Sequence, residues 1–295
     1  MMDLHIHTTA SDGEHTPQEV VELAQAAGVT LMAVTDHDTI DGLDEAERWG
    51  EELGVTVVPG IEINAQHAAE LHILGYGFDQ RAPEILAACQ WFREGRERRG
   101  KRIIALLNSR GVKLTLEEVR TYVHGRQLGR PHFAQALVDK GYADSVDDAF
   151  KRYLSGPAFQ KIEREKMAPQ QAIELISAAG GIAVLAHPAS LELDAVRLEA
   201  YVRQLKDYGL RGMECYYSAN TPAWTKQCLA IARKNDLLAT GGTDFHGRHN
   251  RRGVHIGSGR DGNLHFDSQA AADCLRQETF WGAGIIGQNT GDKGL

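Results

Sequence analysis

Histidine, aspartate and glutamate recur along this sequence in short clusters whose spacing suits metal ligation. His5 and His7 stand two apart in MDLHIH, so in an extended chain both rings face the same way. Asp12 follows in SDG, Asp36 and His37 fall in VTDHD, and Glu62 in PGIE. His72 lies in ELHILGY, His187 in AHP, and Asp244 and His246 in TDFH. Imidazoles and carboxylates without thiolates favour zinc, manganese or iron over copper. Setting Asp36 aside, nine such residues exceed the needs of one ion. At about three or four protein ligands per catalytic ion, they imply two or three metals. Glu62 and Asp244 are candidates to be shared between ions. A water bridging two such ions loses a proton near neutral pH and becomes a hydroxide nucleophile.

These residues need elements that bring them together, and the hydrophobic patterning supplies them. Seven β-rich runs are predicted as strands, at residues 2–7, 31–36, 55–63, 70–76, 181–187, 212–217 and 237–244. Most are separated by helical stretches; the first begins at Thr16-Pro17, a cap followed by a first-turn proline, and stops at Gly28. Runs such as LMAV are apolar throughout, as strands buried on both faces of a parallel sheet are. Alternating strands and helices argue for an α/β fold, either an open doubly wound sheet or a barrel. Nearly every strand carries a candidate ligand at its carboxyl end, where α/β sheets and barrels place their sites. Residues 101–166 break the rhythm, reading as short helices around turns. We expect a helical insertion, or cap, there, dividing a barrel of residues 1–100 and 167–295.

Composition bounds the rest. The 295 residues are 42% hydrophobic and 24% charged, ordinary globular usage that excludes disorder, collagen and coiled coil. No apolar run approaches the roughly 18 residues of a membrane span, and the start lacks a basic segment followed by an apolar one, so we expect a cytosolic chain. The four cysteines form no CxxC pair and read as reduced thiols. A net charge of −8 disfavours a broad grip on long nucleic acid, and nothing indicates a membrane or protein partner. The stretch 93–113 holds eight Lys/Arg against two Glu and reads as a solvated helix face. GVHIGSGR, lacking GK[ST], reads as a turn rather than a phosphate loop. The glycine-rich tail from residue 282 reads as frayed.

The motifs HIHTTASDG, VTDHDT, PGIEI, AHP and TDFH stand in the order found in the PHP (polymerase and histidinol phosphatase) family of the amidohydrolase superfamily, which this sequence resembles. The resemblance implies a distorted (β/α)7 barrel with a trinuclear centre, most often of manganese, with zinc or iron as alternatives, that hydrolyses phosphoesters. Carried over by position, His5, His7, Glu62 and Asp244 would hold one metal, Glu62, His72 and His187 a second, and Asp12, His37 and His246 a third. Asp36 and Asp38 could orient ligands from behind. GRPHFA within the helical region resembles stand-alone members that act as 3′,5′-nucleotide bisphosphate phosphatases or trim short RNA from its 5′ end. That likeness implies 3′-phosphoadenosine 5′-phosphate (pAp) as substrate, with 5′-AMP and phosphate as products.

Four further residues are candidates for substrate contact. Arg130 can bind phosphate bidentately, and His132 can donate to a phosphate oxygen or protonate the leaving group, or cap its helix instead. Ser218 and Asn220 follow the sixth strand and can bind phosphate or sugar, or cap the next helix. Arg248, Arg251 and Arg252 could add positive charge at the rim, or simply lie exposed on the surface, which is the default for them. Alternative activities are a 5′-3′ exoribonuclease on short 5′-phosphorylated oligonucleotides, a histidinol-phosphate phosphatase, and a non-catalytic metal-binding module for nucleic acid.

Overall fold

The computed structural model of the protein describes residues 1–123, 127–247 and 253–284. Seven strands, β1 (Met2–Ile6), β2 (Leu31–Val34), β3 (Thr56–Ala65), β4 (Leu71–Tyr76), β5 (Ile182–Leu185), β6 (Gly212–Tyr217) and β7 (Leu238–Gly242), lie side by side in sequence order. The sheet nearly closes on itself as a barrel. His7 N–H donates to Phe245 O at 2.9 Å and Asp244 N–H to His5 O at 2.8 Å, tying the exit of β7 to β1. The approach is close enough to demand glycine: a Cβ on Gly242 would lie 2.3 Å from His5 Cβ.

The helices are α1 (Pro17–Ala26), α2 (Leu43–Leu53), α3 (Pro83–Ser109), α4 (Leu116–Arg120), α5 (Arg130–Asp139), α6 (Val146–Arg152), α7 (Pro157–Gln160), α8 (Pro169–Ala178), α9 (Ala195–Asp207), α10 (Pro222–Lys234) and α11 (Gln269–Gln277), and all but α4 to α7 pack on the sheet. The start of α1 is a reciprocal capping box, in which Thr16 Oγ1 accepts from Glu19 N and Glu19 accepts from Thr16 N. One apolar cluster joins β-strand residues such as Val34, Ile61 and Ile73 to α1, α2, α8, α9 and α10. On the other side Leu4, Val58, Leu74 and Val184 pack on Phe266 and α11. The far half of α3 and helices α4 to α7 gather round a third cluster that includes Leu107, Leu116, Phe133 and Phe159. The division expected at residue 101 falls inside α3.

One strand departs from the parallel sheet that repeated strand–helix units suggest. β4 runs antiparallel to both β3 and β5. Residues 66–70, which join β3 to β4, are far fewer than the dozen or more that a parallel crossover needs. The reversal has a functional consequence. His72 lies at the amino end of β4, and the reversed direction sets that end beside the carboxyl ends of the parallel strands, where the other candidate ligands stand. Val254–His255 and Gly259–Arg260, β8 and β9, pair as a small antiparallel ribbon, consistent with a turn. No helix among the described residues is long and apolar enough to cross a membrane.

Candidate metal and phosphate site

All nine candidate ligands converge at one end of the barrel. His5 Nε2 and His7 Nε2 are 3.1 Å apart, as are His72 Nδ1 and His187 Nε2. Glu62 sits in the middle: Oε1 lies 2.8 Å from His72 Nδ1 and 2.9 Å from His187 Nε2, while Oε2 lies 2.9 Å from His37 Nδ1 and 3.2 Å from His7 Nε2. Asp244 Oδ1 is 3.3 Å from His7 Nε2 and 3.2 Å from His246 Nδ1, and Asp12 Oδ1 is 3.4 Å from His246 Nε2. Donor atoms fall into four overlapping groups: His7, Asp12, His37 and His246; His5, His7 and Asp244; His5, Glu62 and His187; His37, Glu62 and His72.

The donors fit divalent ions. Two imidazole nitrogens each ~2.1 Å from one ion stand ~3.0–3.4 Å apart over the angles common in metal sites, and the two closest nitrogen pairs match that spacing. His7 Nδ1 and Glu62 Oε2 are buried without a hydrogen bond, although nitrogens approach the latter closely. Atoms arranged in this way point to a common centre rather than at each other. Burial disfavours the ionised form of Glu62, but the charges of His72, His37 and His5 outweigh it and hold the carboxyl well below its ordinary range. The site thus keeps its anionic donor ionised at neutral pH.

Strand ends shape the cluster locally. Asp38, His187 and Asp244 adopt positive φ of 57°, 23° and 54°, sharp turns at the exits of β2, β5 and β7. Asp36 accepts from Thr8 N at 2.8 Å and Thr8 Oγ1 at 2.6 Å, which fixes the loop between His7 and Asp12. Asp38 accepts from Asn64 N at 2.9 Å and from Arg96 at 2.7 Å, while Asn64 Nδ2 lies 3.5 Å from His37 Nδ1. Tyr217 donates to Asp244 Oδ2 at 2.9 Å. Glu214, fully buried on β6, lies 3.0 Å from His5 Nδ1 and accepts from His187 N at 2.7 Å.

Beside the candidate ligands Asp12, His37 and His72 opens a cavity of about 720 Å³ whose wall includes Arg99, Arg130, Arg164 and Lys166. Burial and the neighbouring guanidiniums of Arg130, Arg96 and Arg102 push Arg99 down to about 10; burial, then Arg96, brings Arg164 to about 9. Both stay charged at neutral pH. The reading of residues 93–113 as a solvated face is therefore corrected in part: Arg96 is buried against Asp38 and Arg99 faces the cavity. The signal available in the sequence was their i, i+3 spacing, which places both on one side of α3. Arg164, Lys166 and Glu214 carried no motif and were missed.

The other candidates have local partners. Arg130 lines the cavity and lies over the Phe150 ring at 5.7 Å. His132 Nδ1 accepts from Gly129 N at 2.9 Å, which caps α5. Ser218 donates to Thr243 O at 2.7 Å and Asn220 to Cys215 O at 3.0 Å; the cap of α10 is Thr221. Arg248, Arg251 and Arg252 lie outside the described residues, as does the tail from residue 285.

Residues 3–176 match the model of the PHP domain family. The chain belongs to the PHP family. Among its relatives, a 5′-3′ exoribonuclease of Haemophilus influenzae is 35% identical over 83% of this chain and 89% of its own length. A 3′,5′-nucleoside bisphosphate phosphatase of Chromobacterium violaceum is 30% identical over 83% and 87%. A phosphoribosyl 1,2-cyclic phosphate 1,2-diphosphodiesterase of Eggerthella lenta is 34% identical over 84% and 95%. The solved structure of a Chromobacterium violaceum amidohydrolase with bound sulfate and no metal superposes with a TM-score of 0.74 at 29% identity, over 84% of this chain and 88% of that one. These PHP relatives share phosphoester chemistry, and the chain is a metal-dependent phosphoesterase of the same family.

Proposed function

We propose that the protein hydrolyses the 3′-phosphate of nucleoside 3′,5′-bisphosphates such as pAp, giving 5′-AMP and phosphate. The observation that carries this reading is the cationic cavity set against the ligand cluster in a chain of net charge −8. One phosphoryl group would meet the metals and the second the arginines of the cavity wall. We assign His5, His7, Glu62 and Asp244 to one ion, Glu62, His72 and His187 to a second, and Asp12, His37 and His246 to a third; the resemblance to the PHP family favours Mn²⁺, and the mixed imidazole and carboxylate donors also suit Zn²⁺ or Fe²⁺. Divalent ions held there supply Lewis acidity, neutralising phosphate charge and making water acidic enough to act as nucleophile at neutral pH.

The chain's own residues do the rest. Arg130, with Arg99, Arg164 and Lys166, grips the 5′-phosphate through charge-assisted hydrogen bonds and so orients the 3′-phosphate in line for attack. His132 fixes the start of α5, which carries Arg130. Ser218 and Asn220 brace the exits of β6 and β7 behind the ligands. Residues 101–166 act as a cap that completes the 5′-phosphate pocket. We place the enzyme in the cytoplasm, in line with its four free cysteines.

The names of the Haemophilus influenzae relative and two others favour a second reading, exonucleolytic cleavage of short 5′-phosphorylated RNA. Both reactions break the bond between phosphorus and O3′ of a 5′-phosphorylated nucleotide. Histidinol phosphate, with one phosphate, leaves the cationic wall unused. Phosphate and nucleotide release by Mn²⁺-reconstituted protein, measured across pAp, short 5′-phosphorylated RNA and histidinol phosphate, tests the proposal. Fastest turnover of pAp is expected; faster cutting of RNA replaces it with the second reading, and preference for histidinol phosphate refutes both.

A further inference from the structure

We propose that Glu214, which is outside the ligand set, is the positioning residue that prepares His5 and His187 to bind metal; this rests on the reading of the pocket as a metal centre. Its carboxylate is fully buried on the sixth strand, and among the described residues no lysine or arginine pairs with it. Its two oxygens reach two different strands, Oε1 to His5 Nδ1 at 3.0 Å and Oε2 to His187 N at 2.7 Å.

Both contacts call for an acceptor. A backbone N–H only donates, so Oε2 must accept from His187. His5 aims Nε2 at the cluster, 3.1 Å from His7 Nε2, 3.4 Å from Glu62 Oε1 and 3.5 Å from Asp244 Oδ1. To offer a lone pair there, the ring must carry its proton on Nδ1 and donate it to Oε1. The second contact holds a turn: His187 has φ 23°, which an L side chain rarely adopts, and this backbone places its Nε2 2.9 Å from Glu62 Oε1. A buried carboxylate without a cation is costly. Metal charge conveyed through the His5 ring offsets that cost, so Glu214 and the ions stabilise each other.

The requirement is chemical rather than steric, and this makes it testable. Glutamine has the shape of glutamate, but one acceptor atom and one donor. In Glu214→Gln, an oxygen turned to His187 N leaves the amide N–H facing His5 Nδ1, which favours the tautomer with its proton on Nε2, where the lone pair is needed. The opposite rotamer sets two N–H groups against each other at His187.

The experiment is titration of purified, chelator-stripped full-length protein with Mn²⁺, following free Mn²⁺ by its electron paramagnetic resonance signal, with thermal melting of the metal-free forms in parallel. Glu214→Gln is expected to bind Mn²⁺ about 10- to 100-fold more weakly than wild type, in the range seen for residues behind metal-bound histidines. Glu214→Asp keeps both acceptors on a shorter stem and is expected to fall between the two. Wild-type affinity in Glu214→Gln, or weaker binding by Glu214→Asp than by Glu214→Gln, overturns the inference. If Glu214→Gln does not fold, Glu214→Asp decides alone, and wild-type affinity there overturns it. Absence of Mn²⁺ binding by wild type instead overturns the metal reading on which the inference stands.

Discussion

Arg96→Met tests how the barrel and the cationic cavity are joined. Arg96 comes from α3, and its guanidinium lies 2.7 Å from Asp38 Oδ2, with both side chains buried; Arg164 stands 3.8 Å from the same oxygen. Removing one partner of a buried pair typically costs about 3–5 kcal/mol, because the other charge is left uncompensated. Here Asp38 retains its bonds from Asn64. Arg164 already attracts Asp38 from 3.8 Å, so it moderates the loss towards the low end of that range without replacing the lost contact. The expected destabilisation therefore lies between about 3 and 4 kcal/mol. At roughly 2–4 °C per kcal/mol for a chain of this order of size, Tm should fall by about 5–15 °C. If Arg164 swings inward it leaves the cavity wall, so KM for pAp should rise about tenfold while KM for an aryl phosphate stays within about twofold. Calorimetry and steady-state kinetics on the same preparation read both effects. An unchanged Tm refutes the account of Asp38 as a charge that depends on Arg96, and a lower Tm with unchanged KM for pAp refutes the relocation of Arg164.

Other expectations are as direct. Arg130→Ala should raise KM for pAp by about 10- to 100-fold, the worth of a hydrogen bond to a charged group, and leave aryl phosphate hydrolysis nearly unaffected; equal losses on both substrates would remove Arg130 from 5′-phosphate recognition. Mn²⁺ at about a hundred times its Kd should stabilise by about 2.7 kcal/mol for each site filled, raising Tm by about 5–10 °C, and EDTA should reverse the rise in a melting assay. Gly242→Ala, whose new methyl meets His5 Cβ and N, should cost about 1–3 kcal/mol in urea unfolding and weaken Mn²⁺ binding by displacing His5. Burial pushes the thiols of Cys89 and Cys228 up to about 12 and raises Cys215 as well, so at pH 8 a disulfide reagent should release one slow equivalent, from half-buried Cys274, and four after unfolding.

The sequence alone determined the strands and marked the candidate ligands, because both are written in local signals. Apolar runs such as LMAV and IAVL are strands buried on both sides, and most of the candidate histidines and carboxylates sit in or just after such a run, Asp12 standing further on in the loop after β1. The motif order then carried the family and the barrel. Charge reading was less successful, because a run of arginines has the same composition whether it faces water or a phosphate. Arg99 on α3 and Arg130 and Arg164 far along the chain became one cationic wall, and Arg96 a buried partner of Asp38, only when the helices packed. Only the tertiary structure decided that β4 runs backwards, which is what brings His72 to the rim, and that Glu214 stands behind His5 and His187. Neither could be read locally: strand direction follows from how a short connection closes, and a buried carboxylate reveals its task only through the donors that surround it.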